Sequence, residues 1–202
     1  MDGHRTGTRT AGWALVGAAA AAGLAMSHHP TRLDQGALSG AVHGVLIALS
    51  VTIAYGFLHW SRLRGLDRPA VAAGLVAYAV ALFGGVGAAT INGFVLPAFP
   101  HGHGAGGEAH QLAGAANQAL AYLGAVATGL AYALWSLDLL RPGGTRVEKL
   151  VGAAGLVAAA VPLALLAAGV LRMNMTGALA VYAVQWAWMA TIGLLMLAKS
   201  RA

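Results

Sequence analysis

Residues 69–97 read PAVAAGLVAYAVALFGGVGAATINGFVLP, and no side chain between the two terminal prolines carries a charge. A helix needs about 20 consecutive apolar residues to cross the hydrocarbon core of a bilayer, and this stretch exceeds that length. Its alanines and glycines are the residues that let helices approach closely in lipid. The segment therefore reads as a transmembrane helix over 70–96.

The same pattern recurs on both sides of it. Apolar runs separated by turn-like breaks give spans at 11–27, 37–60, 70–96, 110–137, 149–171 and 177–198. The breaks contain His28-His29-Pro30-Thr31-Arg32, Ser61 to Pro69, Pro97 to Gly107, and Arg141-Pro142-Gly143-Gly144. The last, Arg172 to Thr176, is short and predicts a tight hairpin. Composition agrees, since 58% of the 202 residues are hydrophobic and only 9% are charged, against about 25% charged in a soluble domain. The expected fold class is all-α, a polytopic membrane bundle of six transmembrane helices in one membrane domain over 1–202.

Lysine and arginine orient the bundle. Ten of the 12 lie on one side: Arg5, Arg9, Arg62, Arg64, Arg68, Arg141, Arg146, Lys149, Lys199 and Arg201. Only Arg32 and Arg172 lie on the other. Positive residues accumulate in cytoplasmic loops, so both termini are expected in the cytoplasm, N-in and C-in. The net charge of +6 is thereby a matter of topology, and no nucleic-acid partner is implied. Trp60 and Trp135 fall near cytoplasmic helix ends, where interfacial aromatics are common. The first span also admits a reading as a leader cleaved after Ala25-Met26-Ser27. A retained helix is the expectation.

Polar residues concentrate toward the outer side. Six of the eight histidines lie there, namely His28, His29, His43, His101, His103 and His110. Asn92, Asn117, Asn174, Gln185 and Glu108 accompany them. A histidine or amide facing lipid is costly, so these side chains should point into the bundle or a wet cavity. His43, Asn92, His110, Asn117 and Gln185 are the candidate cofactor-binding set if helices two, three, four and six surround such a cavity. His28, His29, His101, His103, Glu108 and His110 are candidate ligands for zinc or copper. Met26, Met173 and Met175 add thioethers, which favour Cu(I), although apolar filler is the plainer reading. Haem b would need His43 as an axial ligand, with His110 as a partner. The plainer reading of His43 is an interhelical hydrogen bond to Asn92 or Asn117.

The chain has no cysteine, which removes disulfides, thiolate metal sites and cysteine nucleophiles. No catalytic motif is present. Glu108 beside a histidine-bound ion is the only acid–base arrangement that can be drawn. Gly36, Gly40 and Gly44, with Gly84, Gly85, Gly87, Gly114 and Gly124, provide small faces for close helix contact within the chain, for a homo-oligomer, or for a larger membrane complex.

Ala89-Thr90-Ile91-Asn92-Gly93-Phe94-Val95-Leu96-Pro97, Asn117-Gln118-Ala119-Leu120-Ala121-Tyr122-Leu123-Gly124 and Ala133-Leu134-Trp135-Ser136 resemble a group of uncharacterised six-helix bacterial inner-membrane proteins of similar length. The resemblance implies that layout and a bacterial inner-membrane location. It supplies no activity. The leading expectation is thus a membrane protein with a metal or haem site opening to the periplasm. A small neutral-solute channel or facilitator, or a structural subunit, are the alternatives.

Overall fold

A computed structural model describes residues 2–29, 36–99 and 107–201, with side chains from Arg5 onward. Six helices in it are long and apolar enough to cross a membrane, and the described residues contain no strand. They are α1 (Asp2–Ser27), α2 (Gly36–Arg64), α3 (Pro69–Thr90), α4 (Glu108–Leu139), α5 (Arg146–Ala167) and α6 (Met175–Lys199). The chain is a polytopic membrane helix bundle.

Helix limits follow local chemistry rather than apolarity. α1 begins at Asp2, well before the apolar run, because Arg5, Thr6 and Arg9 are compatible with helix even though they are not compatible with lipid. α5 begins at Arg146, where Thr145 and Glu148 form a reciprocal capping box. The Glu148 amide donates to Thr145 Oγ1 at 3.2 Å and the Thr145 amide to Glu148 Oε2 at 2.9 Å. The same helix stops at Ala167, short of 171, and Gly169 follows in the left-handed region at φ 70°.

The helices form a ring in chain order, closed by α1 against α6. Glycines set the closest approaches. Gly84 of α3 lies against Gly124 of α4, and Gly12 of α1 against Gly193 of α6. The expected faces of α2 are used in the same way, with Gly36, Gly40 and Gly44 packing on Pro97 and Phe94 at the end of α3. These small residues therefore serve contacts within the chain.

Two layers fill the half of the bundle nearer the termini. The inner one is aromatic. Phe57 stacks on Trp135 with centroids 4.7 Å apart, Tyr78 lies 4.8 Å from Phe57, and Tyr132 lies 4.2 Å from Trp188. Trp135 donates to Val71 O at 3.3 Å and Trp188 to Val151 O at 3.1 Å, so each indole finds an acceptor on a neighbouring helix. This corrects the interfacial expectation for Trp60 and Trp135, which are both 1% exposed. Each lies about one turn from its helix end but faces the core. Trp13, 53% exposed, occupies the outer surface.

Beyond the aromatics lies an ion-pair network. Arg64 reaches Asp138 at 2.7 Å and Glu148 at 2.6 Å, and Lys199 reaches Glu148 at 2.7 Å. Arg68 and Arg141 each approach Asp138 at 3.3 Å. Charges at this end, which topology alone explained in the sequence, thus also lock α2, α4, α5 and α6 together.

Candidate functional site

The opposite half, the histidine end, holds a cavity of about 550 Å³. Five helices wall it: α1, α2, α3 with its continuation, α4 and α6. Its walls are mostly apolar, with His29, His43, Ser50, Asn92, Asn117, Gln118 and Asn174 as the polar points. Gly85 and Gly114 leave it open, since a Cβ added at either would meet nothing within 4 Å. Its walls extend inward to Ile53 and Trp186, and one turn past Ile53 the buried Phe57 begins the aromatic layer.

His43 is the best-defined polar group of the wall, 4% exposed. Its Nδ1–H donates to Ser39 O at 2.8 Å, one turn back on α2. Because a carbonyl can only accept, this bond places the proton on Nδ1 and leaves Nε2 as the acceptor. Asn92 Nδ2 donates to that Nε2 at 3.1 Å, and Ser39 Oγ donates to Asn92 O at 3.1 Å. The pair joins α2 to the end of α3 in both directions.

The local fold that presents Asn92 departs from α-helix. α3 continues as a π-helical turn, Ile91–Val95, and then a 3-10 turn, Leu96–Ala98. Pro97 has no N–H, so regular hydrogen bonding cannot continue through it. Such π turns are frequent at functional sites. Gly93 makes the fit possible, since a Cβ there would lie 2.6 Å from His43 Cβ.

The structure gathers some of the expected site residues and separates others. His43, Asn92 and Asn117 line one cavity, and His29 joins them with its ring edge-on to His43 at 5.0 Å. Gln185 is not on the wall. It is 5% exposed and braces α6 to α4 by donating to Ala125 O at 3.4 Å. His110 shares a helical face with Asn117 but stands nearer the end of the bundle, edge-on to Phe99 at 5.4 Å, and is not among the cavity walls. A haem held between His43 and His110 therefore has no support.

His28 is exposed and its Nδ1 bonds Leu24 O at 3.0 Å. Glu108 is exposed in the first turn of α4. His101 and His103 lie outside the described residues. Among the described residues no three histidine or carboxylate side chains converge on a point that could hold a metal ion.

Three methionines do converge on the cavity. Met26 and Met173 are 8% and 4% exposed, and Met175 stands at its edge, 42% exposed. Asn174 Oδ1 accepts from the Gly177 amide at 2.9 Å and caps α6 between the last two. Ser39 supplies both the carbonyl that anchors His43 and the hydroxyl that bonds Asn92 O, and its only signal in the sequence is its place one turn before His43. Comparison with family models, curated proteins and solved structures finds no match for this chain.

Proposed function

We propose that this membrane protein binds a metal-centred ligand, a metal ion or a haem, through His43 in the cavity at the histidine end. The observation that carries the reading is the anchored ring. Metal-ligating histidines characteristically donate one ring N–H to a carbonyl, which fixes the tautomer and orients the other nitrogen toward the metal. His43 has that arrangement, with Nδ1–H on Ser39 O and Nε2 held by an amide that a ligand can displace. A mostly apolar cavity of about 550 Å³ also falls within the 300–1,000 Å³ of small-molecule sites.

The basic end is the cytoplasmic end in this reading, and the cavity faces the periplasm of a bacterial inner membrane. The charge bias along the sequence supports that orientation. A channel is less well supported, because Phe57, Tyr78 and Trp135 fill the bundle beyond the cavity and a pore must be lined throughout.

Metal analysis and visible spectra of the purified protein, oxidised and reduced, test the proposal. Bound metal or a Soret band is expected in the native chain, with either lost in His43→Ala. The absence of metal and of a Soret band in both redox states overturns it.

A further inference from the structure

Resting on that reading, we infer that the ligand is copper in its monovalent state, held by the imidazoles of His43 and His29 with the thioethers of Met26, Met173 and Met175. All five side chains line the same cavity. Among the described residues no aspartate, glutamate, lysine or arginine does.

The neutral character of the described walls bears on the class of ion. Calcium, magnesium and manganese favour anionic carboxylate oxygen, whereas the oxygens of the described walls are the neutral amides and hydroxyl of Asn92, Asn117, Gln118, Asn174 and Ser50. A divalent ion among neutral donors would retain its full double charge in apolar surroundings, where uncompensated charge is most costly. A monovalent ion carries half that charge, and its cost falls more steeply still, because Born energy scales with the square of the charge. Thioether sulfur is soft and prefers Cu(I), and imidazole accepts it readily.

Local structure supports the convergence of the donors. The backbone at Asn174 is extended, at φ −78° and ψ 177°. Met173 and Met175 flank that residue, and both line the cavity. The cap on α6 fixes both. Met26 and His29 lie one turn apart where α1 ends, with the His29 amide on Met26 O at 3.1 Å. His29 meets His43 edge-on. Methionine has three rotatable bonds, so its sulfur can close on an ion without movement of the helices.

The test uses the full chain in detergent under anaerobic reducing conditions, titrated with Cu(I) against a chromogenic Cu(I) chelator and separately with Zn(II). One Cu(I) per chain is expected, with sulfur in its X-ray absorption shell. Met→Leu substitutions nearly conserve volume and keep the fold. Met173→Leu with Met175→Leu should weaken Cu(I) binding by about 10-fold or more, the scale on which even outer-shell losses act. Zn(II) binding should be weak and unchanged. Cu(I) affinity unaltered in the triple variant with Met26→Leu overturns the copper assignment. So does haem or zinc bound through His43, although the proposed function then stands. No metal or haem bound under any condition removes both.

Discussion

Asp138 is the buried hub of the ion-paired layer. Its side chain is 1% exposed and takes Arg64, Arg68 and Arg141 at 2.7, 3.3 and 3.3 Å. Breaking a buried ion pair costs up to about 3–5 kcal/mol, and here the loss would leave Glu148 alone to balance Arg64 and Lys199. Asp138→Leu is therefore expected to destabilise the protein on that scale, read as a large fall in the midpoint of thermal aggregation. Arg141 is 55% exposed in its side chain and three residues away on the chain. Its removal should cost less than about 1 kcal/mol, as exposed pairs do. Equal losses in the two variants would show that burial does not set the strength of this network. At the histidine end, Asn92→Leu should free Nε2 of His43 without disturbing the Ser39 anchor. Ligand binding through His43 should survive that change and fail in His43→Ala, as seen by metal content. The sequence marked His43 and offered Asn92 or Asn117 as its partner, and the structure selects Asn92. Sequence alone could not remove Gln185 from the group, since height along a helix is legible but the direction a residue faces is not.

At the scale of elements, α3 against α4 is the closest pairing, and Gly84 is its tightest point. A Cβ there would lie 2.6 Å from Gly124 N and 2.8 Å from Leu120 O, both backbone atoms that cannot rotate away. Gly84→Ala should force the helices apart and cost about 1–3 kcal/mol in thermal unfolding. Gly85, its neighbour, is different, since a Cβ there meets nothing within 4 Å. Gly85→Ala should be neutral or stabilising by up to about 1 kcal/mol, through helix propensity. Destabilisation by both would mean that glycine matters here for flexibility rather than for contact. The number and approximate limits of the helices could be read from apolar runs, because the bilayer fixes their length. The π turn at Ile91–Val95 could not, because it arises from Pro97 together with the packing of Gly93 on His43. Trp60 and Trp135 misled for the reason that Gln185 did. Both stand about one turn from a helix end and turn inward, onto Arg64 and Phe57 respectively.

The whole molecule has two unlike ends, and its orientation is the property most worth testing. A ring of helices closed by α1 and α6 holds a cavity at one end, an aromatic layer, and an ion-paired layer at the other. Those layers close the inner side of the cavity, so a ligand in it has no route through the bundle to the basic end. If that end faces the periplasm, the ligand is exchanged there and never meets the cytoplasm. The charge bias predicts this arrangement, since ten of 12 basic residues lie at the other end. The chain contains no cysteine, which allows a direct measurement with a single introduced thiol. Ser27 and Arg201 are exposed, one where α1 ends and one just after α6. With Ser27→Cys, a membrane-impermeant maleimide added to intact spheroplasts should label the protein. With Arg201→Cys, labelling should appear only after lysis. The opposite pattern would invert the bundle and place the cavity in contact with the reducing cytoplasm, where ligand supply and redox state differ. Reaction at both positions in intact cells would mean instead that the helices do not seal the membrane, and the closed inner side of the cavity would have to be abandoned with them.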